Sequence, residues 1–198
     1  MPQPSSDDER LLADLGLPSR FILYPASLWP HKNHSMLLKA LAAVEDDELA
    51  LVLTGATFGK LDGLMAMAKG CGLGSRVRHL GYVPEDALPA LYRRAEALVF
   101  PSLHEGFGVP PVEAMASGCP VASSKAAALG EVCGSAAAEL DPENPEQMAR
   151  TIESVVHDEV IRTRLRAAGF RQAARFTWER TAEAHLAAYR CAVELGGG

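Results

Sequence analysis

The feature that most narrows the fold is an alternation of two kinds of segment. Short apolar runs (FILYPA from Phe21, LALVLTG ending at Gly55, RVRHLGYV, EALVFPS and CPVASS) are separated by stretches with apolar residues at helical spacing. In NHSMLLKALAAV that spacing falls on Leu37, Leu38, Leu41 and Val44, with Asn33 placed as N-cap. KLDGLMAMAKGCG, PEDALPALYRRA and PPVEAMASG repeat the helical pattern, and AAELDP reads as a sixth strand. After Pro145 come three helices, EQMARTIESVVHD, EVIRTRLRAAGFRQAARF and WERTAEAHLAAYRCAV. Strands alternating with helices imply right-handed crossovers and a parallel sheet covered on both faces. Continuous apolar runs are what a strand buried on both faces requires. The expected class is therefore α/β. Residues 1–18 read as a tail or linker, 19–192 as the folded unit, and 193–198 as a disordered tail.

Several function classes drop out. A net charge of -6, with no basic tract interleaved with aromatics, argues against nucleic acid as a partner. The cysteines at 71, 119, 133 and 191 form no CxxC, which fits a reduced cytosolic compartment better than a disulfide framework. MPQPSSDDER is too polar and acidic for a signal peptide, and no run of about 18 apolar residues offers a membrane span. There is no GxGxxG after the first strand, no GxxxxGK[ST] and no GxSxG elbow.

Open α/β sheets bind ligands beyond the carboxyl ends of their strands. SLWPHKNH, TGATFGK, GYVP and HEGFGVPP all fall there. In HEGFGVPPVEAMASG, Gly106, Gly108, Pro110 and Pro111 are incompatible with a helix interior or a central strand, so the segment is a sharp loop opening a helix. The amides of Phe107, Gly108 and Val109 can then face an anion such as a phosphate. Glu113, placed in the first helical turn, has two readings. It is a dipole-friendly acid worth ~0.3–1 kcal/mol, or a carboxylate accepting hydrogen bonds from a sugar diol. Glu105 precedes the glycines and would reach the opposite end of the same ligand, where a carboxylate needs a donor partner. Lys32, beside a helix N-terminus, is a diphosphate contact or a solvated surface lysine. His31 and His34 are surface or interface histidines; a third metal ligand is lacking nearby, so no metal is expected. Trp29 reads as packing rather than as a stacking platform. Tyr82 and Val83 offer backbone to a base edge with Leu88 covering its face, or they form a plain strand-to-helix turn at Pro84. Ser27 and Gly55 complete the candidate set.

EGFGVPPVEAMASGCPV closely resembles the signature of the retaining glycosyltransferase family 4, with the two-domain GT-B architecture. YPASLWPHKNHSMLLKAL, LVLTG, LGYVPEDALPALYRRAEALVFPSLHEGFG, PVASS and LGEVCGSAAAELDPENPE follow the family order, and the similarity covers about Phe21 to Trp178. The resemblance implies a Rossmann-like, donor-binding C-terminal half of a hexosyltransferase, using a GDP-mannose or UDP-sugar type of donor. HKNH is similar to the mannosyltransferase branch that builds surface polysaccharides. Glu105 and Glu113 match the family's E-x7-E pair. Glu113 would bind the ribose, Glu105 the donor sugar, Lys32 and the amides of Phe107–Val109 the diphosphate, and Tyr82 and Val83 would flank the base. No metal cofactor is implied. Anomeric configuration would be kept by attack on the face the nucleoside diphosphate leaves. The acceptor would be held by an N-terminal domain or subunit outside this chain, and the location would be cytoplasmic, with membrane contact only through that other domain. Many members carry Arg where this chain has Ala26 and Ser27, which leaves Lys32 as the firm basic contact. The same resemblance allows a non-catalytic nucleotide-binding module, or another GT-B enzyme such as an epimerase.

Overall fold

The structure, a computed structural model, describes residues 6–196. Six parallel strands, β1 (Phe21–Pro25), β2 (Ala50–Thr54), β3 (Val77–His79), β4 (Ala97–Phe100), β5 (Val121–Ser123) and β6 (Ala138–Glu139), form one sheet in the order β3-β2-β1-β4-β5-β6. That order reverses direction between β1 and β4, which is where a doubly wound sheet opens a crevice. Phe21 to Tyr24 and Ala97 to Phe100 have no exposed surface. Each such large apolar side chain removed from water contributes ~1.5–3 kcal/mol, so the centre of the sheet is the best-secured part of the molecule. Pro25 lacks an N–H and ends β1 at the carboxyl edge, opposite Thr54. β3 is shorter than RVRHLGYV suggests. Gly81 adopts φ +73° and its amide donates to His79 Nδ1 at 3.1 Å, which turns the chain out of the sheet.

Helices α2 (His34–Ala42), α3 (Leu61–Gly70), α4 (Leu88–Arg94), α5 (Val109–Ala116) and α6 (Leu129–Cys133) connect the strands. α7 (Pro145–His157) and α8 (Glu159–Ala173) follow β6. The Asn144 side chain caps α7 by accepting from the Gln147 amide at 2.9 Å. Asp158 caps α8 by accepting from the Val160 and Ile161 amides. α5 and α8 approach closely through two glycines. A Cβ on Gly118 would lie 2.8 Å from the Phe170 ring, and one on Gly169 would lie 3.2 Å from Met115 Cγ.

Both ends of the chain depart from expectation. Within the segment read as a tail, α1 (Ser6–Leu12) packs on α4 and is followed by a single 3₁₀ turn (Ala13–Leu15). The cause is a bidentate ion pair: Asp8, 3% exposed, accepts from Arg93 Nε at 2.8 Å and Nη2 at 2.6 Å, while Leu12 is buried beside it. α9 (Trp178–Gly196) runs through most of the expected disordered tail, and its residues 178–194 are all exposed. Residues 1–5 and 197–198 of the expected tails lie outside the described residues. Among the described residues no helix is long and apolar enough to cross a membrane, and all four cysteines are free.

Candidate functional site

The loop after β1 crosses the switch point and is fastened there by its backbone. His31 O accepts from the Leu103 amide at 2.7 Å and from Ser102 Oγ at 3.2 Å. Lys32 O accepts from Tyr24 Oη at 2.7 Å. Pro30–Lys32 form one 3₁₀ turn, after which Asn33 takes φ +61° and α2 begins. Asn33 does occupy the N-cap position, but its side chain makes no cap. Instead its amide donates to Pro101 O at 3.2 Å and Pro142 O at 2.7 Å, tying the β1 loop to those after β4 and β6. A left-handed backbone turns the side chain away from the helix it precedes.

This fastening brings Lys32 to Glu105. Lys32 Nζ donates to Glu105 Oε1 at 2.5 Å, and the two side chains are only 18% and 12% exposed. The two groups assigned to diphosphate and sugar therefore meet as an ion pair spanning the crevice between β1 and β4.

A second group of expected residues lines one cavity of about 210 Å³: Ser27, Gly55, Tyr82, Val83, Leu88 and Glu113, together with Tyr92 and Pro110. Gly55 is required there. Its φ is +117°, and a Cβ would lie 2.9 Å from the Ser27 amide nitrogen. The Gly55 amide donates to Gly81 O at 2.9 Å, which holds the β2 and β3 loops together. Val83 is buried, whereas the Tyr82 side chain is 82% exposed. Glu113 is exposed, and its Oε2 accepts from Tyr92 Oη at 2.9 Å. α5 begins at Val109, so Glu113 lies past the first turn rather than in it, and no acid occupies that turn. The helix-dipole reading of Glu113 weakens accordingly, since that effect fades within a turn.

The amides of Phe107, Gly108 and Val109 donate to no acceptor among the described residues, so all three remain available. Gly108 has φ +102°, but a Cβ there would strike Leu129 Cδ2 at 2.5 Å. The glycine thus serves α6 packing as much as any ligand. Gly106 lies in open space and is absent from the positive-φ positions. The Phe107 and Val109 side chains do not face the Ser27–Glu113 cavity. They line a neighbouring one of about 680 Å³ with Phe176 and Trp178, where Phe107 meets Phe176 edge-on at 5.3 Å.

His34 is turned inward, 4.8 Å from the Tyr24 ring, and is 7% exposed with Nε2 unpartnered. Burial pushes it down to about 4, against a backbone hydrogen bond at Ala26 that works the other way. His79 is also lowered, chiefly by burial. His34 is therefore a buried neutral imidazole rather than a surface or interface group. Among the described residues no three His, Cys, Asp or Glu side chains gather as a metal site. Trp29 is more open than a packing role suggests: it is 46% exposed, with Phe58 at 4.5 Å and Lys60 Nζ 5.3 Å above its ring.

Sequence reasoning missed Tyr24, Tyr92 and the bracing role of Asn33. Both tyrosines sit within apolar patterns, FILY and ALPALY, that assign them to the core. A tyrosine among buried leucines, whose hydroxyl needs a partner, is the one signal that points further.

Residues 8–172 match the family described as glycosyl transferases group 1. The chain is 36% identical over 176 residues to a serotype-specific mannosyltransferase, WbdA, of Escherichia coli, covering 86% of this chain and 21% of that protein. It is 34% identical over 173 residues to the O-antigen chain mannosyltransferase B of E. coli, covering 86% of this chain and 45% of that one. The crystal structure of Anabaena Alr3699/HepE in complex with UDP and glucose superimposes with a TM-score of 0.81 at 26% identity, over 95% of this chain and 53% of that one. The chain thus spans between about a fifth and half of the length of these three proteins. Its parallel α/β sheet is of the GT-B glycosyltransferase type, and the chain belongs to the glycosyl transferases group 1 family.

Proposed function

We propose that this chain is the donor-binding half of a retaining glycosyltransferase, a hexosyltransferase of family 4 using a nucleoside diphosphate sugar of the GDP-mannose or UDP-sugar type. The observation that carries this reading is the division of the carboxyl edge into an uncharged cavity ending at Glu113 and an adjacent Lys32–Glu105 ion pair. A nucleoside suits the first. Tyr82 and Val83 present backbone to the base, Leu88 covers its face, and Glu113 accepts from the ribose hydroxyls. The diphosphate suits the second. Lys32 and the free amides of Phe107–Val109 would oppose its charge and stabilise the departing group without need of a divalent cation. Glu105 would then turn to the hydroxyls of the sugar, and its pairing with Lys32 holds it ready in a partly dry place. The names of the E. coli relatives favour a mannosyl donor, and UDP with glucose in the Anabaena protein shows what a similar fold accommodates. The acceptor would be bound by a further domain.

Calorimetry with UDP, GDP and ADP tests the reading. At least one should bind wild type, and Glu113→Ala should weaken it. No binding by any of the three, or equal binding by Glu113→Ala, would reject the site. With an acceptor domain supplied, the product should retain the donor's anomeric configuration; inversion would reject the reaction class.

A further inference from the structure

The structure points to Tyr92 as a positioning residue for the nucleotide: its hydroxyl fixes one oxygen of Glu113 so that the other faces the vicinal hydroxyls of the ribose. This rests on the nucleoside reading of the cavity. Glu113 is exposed, and among the described residues no cation pairs with it. Alone, such a side chain would sample several rotamers and lose that freedom when it gripped a diol. Tyr92 reaches it from α4, across the α4–α5 contact, and donates to Oε2 at 2.9 Å from a ring that is 1% exposed. Burial, then the charge of Glu113, raise the Tyr92 phenol far above its ordinary range, so it remains a donor at any physiological pH. A hydrogen bond to an ionised acceptor is among the stronger kinds. A carboxylate offers about four lone-pair sites; Tyr92 occupies one, leaving Oε1 and the far side of Oε2 for two neighbouring hydroxyls. Tyr92 also lines the cavity itself, beside Leu88 and Pro110, so the ring forms its wall while the hydroxyl sets its polar end.

The test compares UDP and GDP with their 2′,3′-dideoxy counterparts by calorimetry. Wild type should prefer the ribose form, and Glu113→Ala should lose that preference. Tyr92→Phe should reduce the preference about tenfold while leaving the affinity for the dideoxy nucleotide unchanged, because only the oriented carboxylate is lost. A preference equal to wild type in Tyr92→Phe would overturn the positioning role and leave the cavity assignment standing. Equal weakening of both nucleotides would also overturn it, since that is what a merely structural tyrosine gives. Absence of any ribose preference in wild type would overturn the cavity reading and the inference together. Should Tyr92→Phe fail to fold, Glu113→Asp serves, because it alters an exposed side chain. Its carboxylate is drawn back by one methylene and cannot reach both partners, so the preference should fall; an unchanged preference would overturn the inference.

Discussion

The two walls of the crevice are built on opposite principles. The wall at the switch point, from the loops after β1 and β4, is charged and fastened. Lys32 and Glu105 are paired, Asn33 braces two neighbouring loops, and His34 is sealed beneath. The wall formed by the loops after β2 and β3 with α4 and α5 is mostly apolar or bare backbone, with Glu113 as its one charge. On the proposed assignment the first wall would meet the diphosphate, whose charge is fixed, and its own charges are held in place and partly shielded from water. The second would meet the flat, neutral base and offers shape, supplied by Gly55 and Leu88. The contrast teaches that charge and shape are carried here by separate elements, which single substitutions can separate.

The largest effect concerns the sealed base of the charged wall. His34 is held neutral, at about 4 in the folded chain against 6.5 when free. Between those values the unfolded chain binds the extra proton and the folded one does not. Stability is therefore complete above about pH 6.5 and is lost as pH falls toward 4, by about 3 kcal/mol from this group. His79 acts in the same direction. Urea unfolding at a series of pH values should show the slope, and His34→Phe should flatten it; a slope unchanged in His34→Phe would place the effect elsewhere. Next in size, Lys32→Ala should weaken nucleoside diphosphate binding tenfold to a hundredfold, equivalent to ~1.5–3 kcal/mol, with little change for the nucleoside alone. Calorimetry with both ligands reads the difference, and equal losses would merge the two walls into one. On the other wall, Gly55→Ala puts a Cβ 2.9 Å from backbone at positive φ. It should cost about 1–3 kcal/mol in thermal unfolding and weaken the nucleoside as much as the diphosphate; an unshifted transition would mean the two loops part freely. The smallest effect should come from EDTA, which is expected to leave donor affinity unchanged. A clear fall in the same titration would bring a divalent cation into the charged wall.

Much of this contrast was legible in the sequence. The strands are continuous apolar runs, and the candidate residues follow strand ends, so their common edge follows from alternation alone. Ser27, Gly55, Tyr82, Val83, Leu88 and Glu113 do share a cavity. The Lys32–Glu105 contact was not legible, because it joins residues 73 positions apart through the adjacency of β1 and β4. Periodicity carries no strand order. Tyr92 was hidden for a different reason: its ring obeys the apolar pattern, and only the hydroxyl departs from it. Gly108 looked like a ligand-facing glycine because φ and clearance cannot be separated without seeing Leu129. Asp8 lies in the segment that reads as a tail or linker, since nothing local announces that Arg93 covers it.

The interlocked glycines of α5 and α8 extend this account to the rear of the molecule. Met115, two residues beyond Glu113, rests against Gly169, and the turn that ends α5 rests against Phe170. A Cβ at Gly169 would lie 3.2 Å from Met115 Cγ and 3.4 Å from its Cα, so bulk there presses on the rod that carries Glu113, whereas bulk at Gly118 meets only the tip of the half-exposed Phe170 ring. The aim of Glu113, and with it the proposed grip on the ribose, can thus be retuned from the side remote from the cleft, leaving every residue of the cleft as it is.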